Sequence, residues 1–390
     1  MTASAIPIVE ISGTPVERGR QYGEAVRGRL GAALAYYQEA FGQSSGLTWE
    51  QVTARAERWL EPVRVYAPDL VEEMSGIAEG AGVGLLDVFA LNARGEIIYD
   101  ETFAGMRGRD DSTEDAVEEK GTADGCTSFA VMGEASGDGH VYCGQNWDWR
   151  AGTADSLVML RIVQPPRPTV IMQVEAGQIG RQGANSAGIA LNANGLGGRF
   201  DDAVGLPQTV IRRRVLDSES ISEAVEVLCR TRGHIASNAL LTCREGFAVD
   251  LETTPGAHGW LYPADGLLVH GNHYQAGVPV QLAANYRPAS SDSLIRVPRA
   301  EAGLRQLRTA TAPDDSRKLI RQAMSDHLGH PEGLCTHPDP RQAEVKRWTT
   351  LLSSCVDLTT GDYYVTPGTP CDHEYQYLPW NLYDGPHAPN

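Results

Sequence analysis

The apolar positions fall into two regimes, helical in the first hundred residues and strand-like in most of the rest. Tyr22, Ala25, Leu30, Ala33, Leu34 and Tyr37 recur at helical spacing. Thr14-Pro15-Val16-Glu17 ahead of them has the form of a capping box with proline in the first turn, which predicts a helix over about 15–41. Thr48 to Gln51 repeats the signature before a second helix, and "DLVEEMSGIAEGAGVGLLDVFALNARGEIIYD" reads as two more, broken at its glycines. The first hundred residues are therefore expected to be helical.

Residues 105–125 lose this periodicity and gather charge and glycine, the pattern of an exposed, mobile linker. Beyond them "CTSFAVMG", "HVYCGQN", "SLVMLRIV" and "TVIMQVEAG" are short β-rich runs separated by turn residues. Two helices are predicted near 206–216 and 219–231, then strands at 237–243, 246–252, 258–262 and 266–270. Helical character returns at 292–308 and 315–328, and "WTTLLSSCVDLTTGDYYVTPG" reads as a hairpin turning at Thr359 to Asp362. Strand runs interleaved with helix pairs, without regular βαβ alternation, predict an α+β layered sandwich.

Composition narrows the partners. With 50 acidic against 33 basic residues the net charge is −17, which repels phosphate backbones and anionic lipid headgroups. Nucleic acid and membrane are not expected as partners. The N-terminal stretch lacks a basic region followed by an apolar one, and no run of 18 apolar residues occurs, so a soluble cytoplasmic protein is expected. Seven cysteines without CxxC spacing argue against a disulfide framework.

Three motifs fail on inspection. Gly80-Ala81-Gly82-Val83-Gly84 follows a helix and misses dinucleotide spacing, so no cofactor is expected. Asn185-Ser186-Ala187-Gly188 approaches a nucleophile elbow, but Ala184 stands where its first glycine belongs. His327, His330, Cys335 and His337 fit no zinc spacing and read as surface histidines of a Pro/Gly-rich loop, so no metal is expected.

Cys126, directly after Gly125 at the foot of a strand, has two readings. A free cysteine is most often a buried core residue. Alternatively, the chain is cut between Gly125 and Cys126, and the freed α-amine, with an ordinary pKa of about 7.7 to 8.0, serves as base for the thiol on the same residue. Glycine at 125 suits a twisted conformation that exposes its carbonyl. In "GQNWDWR", Asn146 and Asp148 project from one side of a strand and Trp147 and Trp149 from the other, and pairing would bring Asp148 beside Cys126. Asn192, Asn194 and Asn272 at strand ends could donate to an oxyanion, typically worth about 3 kcal/mol of barrier.

"SGTPVERGRQYGEA", "GIAEGAGVGLLDVFALNARGEI", "DGCTSFA…GQNWDW" and "GNHY" with "SDSLIR" together resemble the acyl-CoA:6-aminopenicillanate acyltransferase family, the isopenicillin N acyltransferase-like autoproteolytic cysteine hydrolases. The resemblance implies an N-terminal-nucleophile fold of four layers, α/β/β/α, made as a precursor: residues 1–125 a helical pro-region retained as small subunit, residues 126–390 the catalytic large subunit, together one structural domain. By it Cys126 is the nucleophile, Asp148 orients its amine, Asn272 serves the oxyanion hole, and Asn194 and Arg296 complete the catalytic set. Asn146, Trp147 and His273 are expected to touch substrate. "GLCTHPD" departs from the family, with Thr336 where an arginine is expected. The implied activity is hydrolysis of a small N-acyl compound through a Cys126 acyl-enzyme. The alternatives are acyl-CoA-dependent N-acyl transfer, a metal-dependent hydrolase built on His330 and His337, and an unprocessed binding scaffold with Cys126 inert.

Overall fold

The computed structural model describes residues 6–104, 125–201 and 203–385, so the predicted linker, Gly125 apart, lies outside the described residues. The N-terminal part comprises β1 (Ile8–Ser12), α1 (Pro15–Ser45), α2 (Trp49–Ala56), α3 (Leu60–Tyr66), α4 (Pro68–Ala81), α5 (Leu85–Asn92) and α6 (Arg94–Ala104). Then come β2 (Gly125–Val131), β3 (Tyr142–Arg150), β4 (Leu157–Val163), β5 (Val170–Glu175), β6 (Gly183–Asn185), β7 (Ile189–Asn192), α7 (Gln208–Leu216) and α8 (Ile221–Arg230). The chain continues through β8 (Ser237–Cys243), β9 (Phe247–Thr253), β10 (Gly259–Leu261), β11 (Leu267–His270), α9 (Ser293–Leu304), α10 (Pro313–Met324), β12 (Trp348–Asp357), β13 (Asp362–Val365) and β14 (Gln376–Asn381).

Helix α1 starts as its sequence dictates. The Thr14 hydroxyl accepts from the Glu17 N–H at 3.4 Å while Glu17 Oε2 accepts from the Thr14 N–H at 2.8 Å. It ends at Gly46, whose φ of 66° gives the left-handed cap. Its inner face carries Tyr22, Val26, Leu30, Ala33, Tyr37 and Phe41; Ala25, expected inside, is exposed. Against it lies α4 in backbone contact. A Cβ on Gly19 would stand 2.0 Å from the Glu73 carbonyl oxygen, and one on Gly76 would stand 2.3 Å from that of Val16. Gly23 and Gly80 continue this seam, and Gly82, at φ 75°, caps α4, so the glycine-rich run serves helix packing and termination. Asn185 to Gly188 is the β6–β7 turn, in which Asn185 Oδ1 accepts from the Ala187 and Ile189 N–H groups.

Strands β1-β4-β5-β6-β7-β8-β9-β10 form one sheet and β11-β2-β3-β12-β13-β14 a second. Three apolar cores separate four layers. One packs α1, α4, α5 and α7 on the first sheet, through residues such as Leu30, Ile77, Leu160 and Leu241. The next lies between the sheets and holds Cys126, Trp147, Met159 and Leu240. The third joins the second sheet to α9 and α10, through Phe129, Val297 and Ile320. This is the α/β/β/α sandwich expected. The expectation that the first hundred residues are helical is corrected at β1, which pairs in parallel with β4 from Ile8↔Met159 to Ser12↔Val163. Among the described residues no single helix is long and apolar enough to cross a membrane.

Candidate active site

Strands β2 and β3 are antiparallel with Gly125 opposite Asp148, Cys126 opposite Trp147 and Thr127 opposite Asn146. Because side chains alternate across a strand, this register sends Cys126 and Trp147 into the core between the sheets and Asp148 and Asn146 to the opposite face. Gly125 is glycine for want of space: a Cβ there would meet Trp348 Cζ3 at 3.1 Å and Asp148 Cβ at 3.5 Å.

The Cys126 main chain is gripped by two residues from beyond β11. Its N–H donates to Asn272 Oδ1 at 2.9 Å, and its carbonyl accepts from Arg296 Nη1 at 2.7 Å. Arg296, 1% exposed, also donates to Thr127 Oγ1 at 2.7 Å, Asn272 Oδ1 at 2.8 Å and, through Nε, Asp292 Oδ2 at 2.9 Å. Asn272 thus presents its carbonyl oxygen to the nucleophile, while its NH₂ donates to the Gly195 carbonyl at 2.9 Å. Its own N–H donates to Ser293 Oγ at 2.7 Å, and Gly271 lets this happen, since a Cβ there would lie 2.3 Å from that oxygen.

Asp148 is buried on the face toward α9 and α10. Thr350 Oγ1 donates to its Oδ1 at 2.6 Å and Thr336 Oγ1 to its Oδ2 at 3.3 Å. Burial pushes its pKa up to about 7, against the downward pull of the Arg296 guanidinium. Thr336, at the position where the family pattern has arginine, thereby serves the aspartate. Asn194 braces the site: its NH₂ donates to Ser128 Oγ at 3.1 Å and to the His270 and Gly271 carbonyls at 2.9 Å each.

The three residues expected to touch substrate are placed differently. Trp147 shares the Cys126 face, with the Arg181 guanidinium 3.9 Å from its ring centroid. His273 is half-buried, its Nδ1 2.7 Å from Ser293 Oγ; burial, then the charges of His270 and Arg296, lowers its pKa to about 4. Asn146 is fully buried and ties the Met324 and Leu334 carbonyls to β3, 2.8 Å from each, so its contacts are those of a structural brace.

A small cavity of about 50 Å³ opens beside the site, lined by Arg94, Glu96, Trp149, Arg181, Gly195 and Arg212 among others. Arg94 pairs with Glu175, and Tyr37 joins them by donating to Glu175 Oε2 at 2.8 Å and accepting from Trp149 Nε1 at 2.9 Å. Burial raises the pKa of Glu96.

The residues missed in the sequence are the hydroxyls Thr127, Ser293 and Thr350 and the acidic Asp292. Thr127, Ser293 and Thr350 carry no spacing signal, because each matters through a partner distant in the chain, whereas Asp292 stands four residues before Arg296 inside the quoted SDSLIR stretch and could have been found there. His327, Cys335 and His337 are drawn together with a residue left out of that cluster, Cys371: the four ligand atoms all lie within 4.8 Å of one another. His327 is exposed as expected of a surface loop, whereas Cys335 is buried and Cys371 joins the group.

Residues 135–353 match the profile of the acyl-coenzyme A:6-aminopenicillanic acid acyl-transferase family. The chain is 33% identical over 278 residues to the acyl-coenzyme A:6-aminopenicillanic-acid-acyltransferase 40 kDa form of Emericella nidulans, the aligned part covering 68% of each. Two solved structures are similar at lower identity. Penicillin V acylase from Agrobacterium tumefaciens is 16% identical, with a TM-score of 0.42 over 62% of this chain and 83% of that one. A variant of conjugated bile acid hydrolase from Clostridium perfringens is 14% identical, with a TM-score of 0.40 over 67% of this chain and 95% of that one. On a profile match that begins just after Cys126 and takes in Asp148, Asn194, Asn272 and Arg296, and on its identity with the Emericella acyltransferase, this chain belongs to the acyl-coenzyme A:6-aminopenicillanic acid acyltransferase family.

Proposed function

We propose that the protein is a self-cleaving cysteine amidohydrolase. Cys126 Sγ attacks the Gly125 carbonyl carbon, the C–N bond breaks as the thiol proton passes to the nitrogen, and water opens the resulting thioester to a Gly125 carboxylate and a free thiol. The observation that carries this reading is Asn272 Oδ1 at 2.9 Å from the Cys126 nitrogen, with Arg296 bridging that oxygen and the Cys126 carbonyl. The atom to be freed as an amine is already held where it remains after cleavage. In turnover the amine takes the thiol proton, the thiolate attacks an N-acyl amide, the amide C–N bond breaks as the ammonium gives that proton to the leaving amine, and water then opens the acyl-enzyme to the free acid and the thiol.

The severed N-terminal part is expected to stay bound. β1 is hydrogen-bonded to β4, α1 and α4 supply much of the outer core, and Tyr37 and Arg94 reach the Trp149 end of β3. Transfer from an acyl-CoA is the second reading, favoured by the identity with the Emericella acyltransferase. Hydrolysis is preferred because water is always present and a transferase must exclude it.

Denaturing electrophoresis tests the first step. The wild-type chain should give fragments of about 13 and 29 kDa, in proportion to 42.1 kDa over 390 residues, and Cys126→Ala a single band. An intact wild-type band, or a catalytically active preparation with no polypeptide starting at Cys126, overturns the proposal. Mass spectrometry after feeding an N-acyl amine, or an acyl-CoA with 6-aminopenicillanate, separates free acid from transferred amide.

A further inference from the structure

We infer that His327, Cys335, His337 and Cys371 form a structural zinc site that fastens the loop after α10 to the loop after β13. Bonds of about 2.3 Å to sulfur and about 2.0 to 2.1 Å to nitrogen, set tetrahedrally, place ligands about 3.8 Å apart for S···S, about 3.6 Å for S···N and about 3.3 Å for N···N. The corresponding separations are 3.6 Å for Cys335 Sγ to Cys371 Sγ, 3.6 and 3.4 Å for the two sulfurs to His337 Nε2, and 3.1 Å for His327 Nε2 to His337 Nε2. Four soft or borderline donors, two of them thiols, with these four separations near tetrahedral values and all within 4.8 Å, match Zn²⁺ and not a hard oxygen-seeking cation. A set of four protein ligands leaves no open position, which marks the site as structural.

The spacing along the chain hides the site because the fourth ligand lies 34 residues beyond His337. The frame that aims the ligands is already built. The Cys335 N–H donates to the Asp326 carbonyl at 3.0 Å, the His337 N–H to that of Pro331 at 2.8 Å, and the Leu334 carbonyl accepts from Asn146 at 2.8 Å. Binding displaces one proton from each cysteine as its sulfur becomes a thiolate ligand. Thr336, between two of the ligands, is the residue whose hydroxyl reaches Asp148, so the metal would also fix a support of the candidate active site.

The test is independent of acyl chemistry. The full chain, kept reduced, is loaded with Zn²⁺ or Co²⁺, dialysed against metal-free buffer, and measured for metal content and absorption. One equivalent of zinc is expected, with a thiolate-to-cobalt charge-transfer band and the visible bands of tetrahedral Co²⁺. Loss of an outer-shell partner typically weakens a metal site 10–100-fold, so removing a ligand in His327→Ala or Cys371→Ser should cost more than about 100-fold in zinc affinity. His327 is exposed, which keeps its variant foldable. Substoichiometric zinc, cobalt spectra without these bands, unchanged affinity in the variants, or a Cys335–Cys371 disulfide in place of metal would each overturn the assignment.

Discussion

Asp148 gives the most quantitative consequence of the site. Its pKa of about 7 in the folded chain, against 3.8 as the reference, means that folding holds a proton which the unfolded chain releases. A carboxyl raised on folding binds more protons in the native state between these values, so its contribution to stability falls as pH rises from about 4 through 7 and is flat beyond. At about 1.4 kcal/mol per unit the whole window is worth about 4 kcal/mol, of which about 3 kcal/mol falls between pH 5 and pH 8. Asp148→Asn removes the titration while keeping the shape, and the Thr350 and Thr336 hydroxyls can each donate or accept. Both chains should carry Cys126→Ala, so that cleavage does not intervene. Urea unfolding at pH 5 and pH 8 would then show the aspartate chain losing about 3 kcal/mol more than the asparagine chain. Asp250, pushed to about 6 by burial, and His270 titrate in both chains and cancel in the comparison. Parallel pH profiles, within about 1 kcal/mol, would refute the buried-proton account of Asp148.

Two further outcomes follow from named contacts. Gly76→Ala puts a Cβ 2.3 Å from the Val16 carbonyl oxygen, forcing α1 and α4 apart, whereas Gly28→Ala, on the same α1, meets nothing within 4 Å. Urea unfolding should show the first losing about 1–3 kcal/mol and the second gaining up to about 1 kcal/mol. Arg296→Leu leaves the Cys126 carbonyl, Asn272 Oδ1 and Asp292 without their guanidinium donor, a loss of about 3–5 kcal/mol for a buried pair broken on one side. Self-cleavage on gels should stop in this variant and slow in Arg296→Lys, which keeps the charge but not the fork.

Much of this was legible in the chain, for identifiable reasons. The strands from β2 to β5 and from β8 to β11 declare themselves because they are dense in β-branched and aromatic residues between turn residues. β1 escaped because five residues before a strong capping box carry too little pattern, and what makes them a strand is the long-range ladder to β4. α5 and α6 read as one helix in the sequence because the break at Ala93, whose ψ is 14°, has neither glycine nor proline to mark it. Cys126, Asp148, Asn272 and Arg296 were reachable because their motifs are local. Their partners were not, since Thr350 and Thr336 meet Asp148 from 202 and 188 residues away.

The geometry also separates two duties that the sequence merged. Asn272, expected at the oxyanion, turns its Oδ1 to the Cys126 nitrogen and gives one of its two amide protons to the Gly195 carbonyl, so its oxygen end is placed to receive an amine. Arg296 makes that choice binding: a guanidinium has only donors, so its bond to Asn272 at 2.8 Å fixes which amide atom faces it. Because Arg296 also donates to the Cys126 carbonyl, one guanidinium fixes both the orientation of the asparagine and the backbone of the residue whose nitrogen the proposed cleavage would free.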